Sequence, residues 1–213
     1  MPRTLVGVDL SASPRAPSAT AVLDASGALV RLTAFAADEE LLELVRPLPR
    51  PLLALDAPLG LPLGLCCLEP SCPCHPLRRP GLRSAEVALA RRVEEGCFPT
   101  TGRMVRPLAR RGRGRAPRLA AAGCGVIEVY PYATRALLWG RRQPPKTTRQ
   151  GLALLRWRLA ALVPGVAPHA PHLTHHQADA LLAAHTALLH ARGESEALGV
   201  PEEGCIIVPR VAG

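Results

Sequence analysis

Hydrophobic residues along this chain come in short unbroken runs separated by amphipathic stretches, a pattern typical of an α/β protein. The first run, "LVGV", predicts a buried strand that leads directly to Asp9. Two further runs on either side of "ASG" predict a hairpin, because a short turn sequence between two β-rich runs favours antiparallel pairing. The predicted strands are residues 4–11, 18–24, 28–36, 50–60, 125–131 and 204–209.

Five stretches have apolar positions at helical spacing and polar residues that start or stop a helix. The clearest is residues 174–193, where Thr174 serves as N-cap and Gly193 as the stop; Ser84 is the predicted cap of an earlier helix. The predicted helices are residues 38–48, 82–96, 133–140, 147–164 and 174–193. Residues 61–80, rich in Pro and Cys, and residues 97–118, rich in Arg, are predicted to be irregular.

The order of these elements predicts a mixed central sheet, a hairpin plus parallel strands, flanked by helices. A helix lies between the strands that end at Asp9 and Asp56, so these strands are expected to be parallel. Both aspartates then lie at the carboxyl edge of the sheet, where open α/β sheets place their sites. We expect a single domain over residues 1–213, with residues 61–118 as an insertion that holds a Cys cluster, a helix and a basic loop.

The acidic residues narrow the candidate chemistry. Besides Asp9 and Asp56, Glu128 interrupts an otherwise apolar strand, where a charge is costly unless paired or coordinated. Asp179 lies near the start of the last long helix, with His175 and His176 one turn before it as possible accessory residues. An ion pair between Glu128 and an arginine, and a solvated helix face for Asp179, are the structural alternatives.

Together, these four acids predict a metal centre. Carboxylate ligands suit Mg²⁺ or Mn²⁺ better than zinc. The reaction that uses such clusters is two-metal phosphoryl transfer, in which one ion activates water and the other stabilises the leaving oxygen. For this chemistry, the carboxylates of Asp9, Asp56 and Asp179 should converge to within roughly 4–8 Å of one another.

The charge distribution predicts a polyanionic partner. The formal net charge is +9, and 25 of the 26 basic residues are Arg, a bias that is also typical of a GC-rich genome and of a thermophile. Residues 78–118 contain twelve Arg and three Glu, and residues 103–118 are expected to form a mobile basic loop that binds nucleic acid. A solvated charge run is the alternative. The candidate binding residues are Arg110, Arg111, Arg113 and Arg115.

The stretch "CCLEPSCPCH" concentrates cysteines within ten residues. Such density favours a structural metal in a cytoplasmic protein, while disulfides are an alternative in a thermophile and free thiols are a third. The spacing Cys67, Cys72, Cys74, His75 supplies four residues of the types that bind Zn²⁺, with Cys66 adjacent.

The sequence contains no run of 18 uncharged apolar residues and no visible secretory signal, so we expect a cytoplasmic protein without membrane contact.

Five motifs, in this order, resemble the uncharacterised family of predicted RNase H-like nucleases: "GVDLS", "LALDAPLGLP", "GVIEVYPYATRALL", "KTTRQGLALLR" and "QADALLAAHTA". The resemblance covers most of the chain. It implies an RNase H-like fold, with Asp9, Asp56 and Asp179 matching the acids of the resolvase-like branch and Glu128 as a fourth candidate. RNase H itself takes its second acid from the first helix. Here that helix offers Glu39, Glu40 and Glu43, which rank below Asp56 for this position.

The favoured function is therefore a metal-dependent nuclease acting on DNA or RNA, with Asp9 as the ligand shared by both ions. Two alternatives are a non-catalytic nucleic-acid-binding module of the same fold and a phosphotransferase of the actin-like superfamily. The chain lacks the Gly-rich phosphate loops and the second lobe that the latter requires.

Overall fold

The apolar runs form strands, and the amphipathic stretches form helices packed on both faces of one sheet. The structure is a computed structural model that describes residues 3–13, 15–69, 71–74, 81–95 and 97–211. Its strands are β1 (Leu5–Asp9), β2 (Ser18–Leu23), β3 (Leu29–Phe35), β4 (Leu52–Asp56), β5 (Gly125–Val129), β6 (Ser195–Leu198) and β7 (Ile206–Pro209). Its helices are α1 (Asp38–Val45), α2 (Ser84–Val93), α3 (Arg106–Ala121), α4 (Pro131–Trp139), α5 (Arg149–Leu162) and α6 (His175–Ala191).

The seven strands form one mixed sheet in the order β3-β2-β1-β4-β5-β7-β6. The meander β1-β2-β3 is antiparallel, while β1, β4, β5 and β7 are parallel to one another. Asp9 and Asp56 are direct partners in the register of β1 and β4. The predicted α/β fold with a hairpin followed by parallel strands is confirmed.

Helices cover the two faces of the sheet because successive strand residues point to opposite sides. On one face, α5 and α6 bury Leu5, Ala54 and Leu181 in the largest apolar cluster. On the other face, α1 and α3 contribute Leu41 and Leu119 to a second cluster. Strand β1 is buried along its whole length, so Asp9 emerges from the centre of the molecule.

Gly7 allows α6 to lie directly on β1. A Cβ atom at this position would lie 2.0 Å from the carbonyl oxygen of Ala180 and 2.2 Å from the amide nitrogen of Ala184. No side chain fits between strand and helix at these distances, so glycine on one element and alanines on the other permit backbone contact. This contact brings the first turns of α6 to the carboxyl end of β1.

The Arg-rich stretch is a helix rather than a loop, so the predicted loop over residues 97–118 is wrong from Arg106 onward. Two glycines and Pro117 lower its helix propensity, which explains the error. Tertiary contacts offset that cost, since Ala109, Gly112 and Leu119 face the protein. A Cβ at Gly112 would lie 2.8 Å from that of Ala57, so glycine lets α3 approach the segment that follows β4.

Smaller differences concern element ends and one strand. Ser84 is the first residue of α2 rather than its cap, a shift of one position that is common at helix ends. Strand β6 was not predicted, because its four residues include one inward-facing serine and a glutamate and lack an apolar run. Among the described residues, no helix has both the length and the apolar character needed to cross a membrane.

Candidate functional site

Three aspartates meet at the carboxyl edge of the sheet. Asp9 ends β1 and Asp56 ends β4, and the parallel register places them side by side. Asp179 joins them from the second turn of α6, whose start is fixed by a capping box between Thr174 and Gln177. One carboxylate oxygen from each aspartate lies within 4.8 Å of those of the other two. The predicted convergence of these three acids is confirmed.

Burial and mutual repulsion make this group electrostatically unfavourable by itself. Asp9 and Asp179 are only 6% and 4% exposed. Burial, followed by the negative charge of Asp9, raises the pKa of Asp56 well above its usual value. Three carboxylates this close favour either a bound proton or a cation between them.

Two cationic side chains approach the aspartates from the solvent side. Lys146, on the segment before α5, forms an ion pair with Oδ2 of Asp179. His176 Nδ1 lies 2.6 Å from Oδ2 of Asp9, and this hydrogen bond raises the pKa of His176. The two side chains are 34% and 44% exposed, respectively. The positive charge beside the aspartates is therefore supplied by two partly exposed side chains, which can rotate towards solvent.

Lys146 is a site residue that the sequence motifs do not predict, although its residue type is a signal. It is the only lysine in a chain that uses arginine at its other 25 basic positions. A lysine ammonium is a compact point charge on a flexible stem, unlike the planar, fixed fork of arginine. The single lysine of this chain therefore lies at the aspartate group, where its ammonium pairs with Asp179.

His175 and His176 play different parts. His176 contacts Asp9, while the ring of His175 lies against that of His176 with centroids 4.1 Å apart and the ring planes tilted by 39°. Burial lowers the pKa of His175, which favours its neutral form. Of the two histidines, His176 is therefore the one in contact with Asp9, and His175 packs against the ring of His176.

Glu128 belongs to a different arrangement from the one predicted for it. It is not one of the three acids whose oxygens group together, and its carboxylate accepts two hydrogen bonds from the guanidinium of Arg83, at 2.5 and 3.0 Å. The amide of Leu59 donates a third at 2.7 Å. Arg83 is 1% exposed and also pairs with Glu86 at 3.2 Å. The structural alternative, an ion pair with arginine, is thus what the structure contains.

One aspartate of the three, Asp56, lines a cavity together with the Arg83 group. It has a volume of about 210 Å³ and mainly apolar walls, and Asp56, Arg83, Glu86 and Glu128 all contribute to its lining. Phe98, which is 61% exposed, lies at the same cavity. The cavity gives a small group access to the neighbourhood of Asp56.

The four predicted basic residues lie on α3 and divide into two pairs. Arg111 donates to the backbone oxygens of Ser11 and Ser13, in the loop after β1. Arg115, which is buried, forms an ion pair with Asp38. These two arginines stabilise the fold and are not free for a ligand.

The other pair is more accessible. Arg110 is exposed and forms a 2.8 Å ion pair with Glu69, and Arg113 lines a shallow groove beside residues 59–65.

The predicted cysteine cluster also assembles. The Sγ atoms of Cys66, Cys67, Cys72 and Cys74 all lie within 4.8 Å of one another, whereas His75 lies outside the described residues. The structure therefore contains two groups that can hold a metal ion: three buried carboxylates and four thiols. The remaining cysteines, at positions 97, 124 and 205, lie apart from this group.

Comparison with known proteins identifies the chain by family. The curated proteins contain no match to it. A family model described as "Protein of unknown function (DUF429)" matches residues 7–203, a span that includes the last three residues of β1, all three aspartates, the cysteine cluster and Lys146. Because this match covers nearly the whole sequence, the chain belongs to the DUF429 family.

Proposed function

We propose that this protein is a metal-dependent nuclease that hydrolyses phosphodiester bonds of nucleic acid. The observation that carries the proposal is the group of Asp9, Asp56 and Asp179, whose carboxylate oxygens lie within 4.8 Å of one another. Three carboxylates are held together here without an arginine contact among the interactions found. Evolution of a stable fold alone does not require such a costly arrangement.

The arrangement of elements supports an RNase H-like assignment. The hairpin follows a first strand that ends in an acid, a parallel neighbour of that strand ends in a second acid, and a late helix supplies the third. These are the features on which the sequence resemblance rests.

The donor set suits Mg²⁺ or Mn²⁺. The three aspartates offer only oxygen atoms, which are the preferred ligands of these ions. When bound, a pair of such ions would supply an activated water and stabilise the leaving oxygen. The chain's own part is to hold the three carboxylates in place. Lys146 and His176 provide positive charge on the open side, from which a phosphodiester must approach.

The net charge of +9 supports a nucleic-acid substrate. On α3, we assign phosphate contacts to Arg110 and Arg113, because Arg111 and Arg115 are engaged within the protein. The exposed ion pair between Arg110 and Glu69 is no obstacle, since pairs of this kind contribute little stability and exchange readily.

The decisive experiment compares Asp9→Asn with the unmodified protein. Purified proteins are incubated with Mn²⁺ and with single-stranded, duplex and branched DNA and with RNA, and thermal melts are recorded with and without the metal. We expect the substitution to abolish cleavage and the rise in melting temperature caused by Mn²⁺, because it removes a ligand without changing the shape of the side chain.

Asp24→Asn is the matched control. Asp24 lies in the exposed turn between β2 and β3, where its Oδ1 accepts from the amides of Ser26 and Ala28, and an asparagine oxygen can do the same. This variant should cleave as well as the unmodified protein. If the unmodified protein cleaves none of the substrates and Mn²⁺ does not raise its melting temperature, the nuclease proposal is wrong. Binding of nucleic acid without cleavage would instead support the non-catalytic alternative.

A further inference from the structure

The cysteine group has the dimensions of a filled metal site. The Sγ atoms of Cys66 and Cys72 are 3.7 Å apart, and those of Cys67 and Cys74 are 3.8 Å apart. A disulfide requires about 2.05 Å between its sulfur atoms. Four thiolates bound tetrahedrally to zinc at about 2.3 Å have sulfur–sulfur separations of about 3.8 Å. Two separate pairs match this value, and the four atoms together form one group.

Burial in an apolar core does not explain why the cysteines gather. Cys66 is exposed and the other three are half-buried, so burial of apolar thiols explains little. The nearby apolar cluster is small, with Leu61, Leu68 and Ala109 at its centre. Between β4 and α2, the described residues of this long connection contain no helix or strand. Long irregular segments without a core need a covalent or metal cross-link to stay ordered.

From these distances, we infer that Cys66, Cys67, Cys72 and Cys74 bind one structural Zn²⁺ ion. All four ligands come from the protein, which is typical of structural rather than catalytic zinc because no coordination position is open to water or substrate. The backbone amide of Glu69 lies 3.5 Å from Sγ of Cys67, and such a contact orients a metal-bound sulfur. The sequence favoured a set that included His75, but Cys66 completes the four thiols without it.

This site fastens the segment to the basic helix α3. Leu68 packs against Ala109, and its carbonyl oxygen accepts from Arg110, which also pairs with Glu69. These contacts are made by Leu68 and Glu69, which lie between Cys67 and Cys72 in the sequence. Zinc therefore orders the part of the insertion that borders α3, and it does so independently of the aspartate group.

The test measures metal content directly. The protein is expressed without added metal, purified, and analysed for zinc and iron by mass spectrometry, with thiols counted before and after denaturation. We expect about one zinc per chain, and cobalt substitution should give the visible absorption of tetrahedral thiolate coordination. Cys72→Ser should lose most of the zinc and melt several degrees lower. Cys205→Ser, a cysteine outside the group, should keep both at their original values.

Other outcomes would overturn the inference. A mass two units lower per cysteine pair would show disulfides, and iron in place of zinc would assign the site to a different metal. A protein with four reactive thiols and no metal, even after incubation with Zn²⁺, would show that the cysteines are only neighbours. If Cys72→Ser fails to fold, the zinc and cobalt measurements on the unmodified protein still decide. None of these outcomes bears on the nuclease proposal, whose test measures Mn²⁺ and cleavage.

Discussion

Two groups of buried acids lie at the same edge of the sheet and differ in how their charge is balanced. In the Arg83 group, two glutamates share one guanidinium that is 1% exposed and hydrogen-bonded on several sides. In the aspartate group, three carboxylates face a lysine and a histidine that are each at least one-third exposed. The first group is closed and neutralised by the protein, whereas the second depends on partly solvated partners.

The choice of cation explains the difference in role. Burial by itself would lower the pKa of Arg83, but Glu128 and Glu86 more than offset this and raise it, so the guanidinium stays charged and its ion pairs are permanent. Burial lowers the pKa of Lys146, and its flexible stem allows the ammonium to leave. A buried acid paired with a buried arginine is therefore part of the framework. A buried acid paired with a partly exposed lysine is a place where another cation can bind.

The largest expected effect tests the closed group. Arg83→Met removes the guanidinium and leaves Glu86 and Glu128 buried without a cation, which should cost about 3–5 kcal/mol of unfolding free energy. Denaturation with urea, at neutral pH and without metal, measures this loss.

Arg118→Met is the control for that experiment. Arg118 forms an exposed ion pair with Glu39, and its loss should cost less than about 1 kcal/mol. An equally small loss for Arg83→Met would remove the distinction between the two groups.

In the aspartate group, we expect a substitution to raise the free energy of unfolding, by an amount intermediate between the other two effects. Asp56→Asn removes a charge whose burial is unfavourable, so the metal-free variant should be more stable than the unmodified protein by about 1–2 kcal/mol at neutral pH. The pKa of Asp56 is raised in the folded state, so the stability it provides is complete below the unfolded value near 3.8 and is lost as the pH rises through the folded value.

The advantage of Asp56→Asn should therefore grow as the pH rises from about 4 towards neutrality. Urea denaturation at a series of pH values, with a chelator present, measures the difference between the two proteins. The titrations of His176 and His185 occur in both and largely cancel. A difference that stays constant with pH, or a variant that is less stable throughout, would contradict the proposed repulsion.

The smallest expected change in stability concerns Lys146, the partly exposed cation of the aspartate group. Lys146→Gln removes the ammonium beside Asp179, and because that side chain is one-third exposed, the metal-free protein should lose less than about 1 kcal/mol. With saturating Mn²⁺ the loss should disappear, since the metal then balances the aspartates. Thermal melts of both proteins across a Mn²⁺ titration test this, and a loss that persists unchanged would place Lys146 among the structural cations.

The sequence predicted what depends on local pattern and strand order. The helix between β1 and β4 predicts that these strands are parallel, and the structure places Asp9 beside Asp56 accordingly. Helix α3 was missed because its stability comes from contacts with Ala57, Ser11 and Asp38, which are distant in sequence.

For Glu128, the sequence correctly predicts a buried acid, but it does not indicate whether the partner of this carboxylate is a metal ion or an arginine. The deciding partner, Arg83, is 45 positions away, in a region where twelve arginines were equivalent candidates. Lys146 is a similar case, because the residues next to it in the sequence do not indicate that its ammonium forms an ion pair with Asp179. Pairings between distant charged side chains depend on the folded geometry, and a single sequence carries little information about them.

The contact at Gly7 makes the spacing of the aspartates a property of the backbone. Since the main chains of β1 and α6 touch there, the backbone positions of Asp9 and Asp179 are held at a fixed separation, and rotation of the side chains alone changes the distance between the two carboxylates. The separation between β1 and α6 is set when the protein folds, and a ligand that later enters the site does not change it. If a metal ion binds here as proposed, an ion that fits this separation should bind without rearrangement, whereas a larger one should require the strand and the helix to move apart.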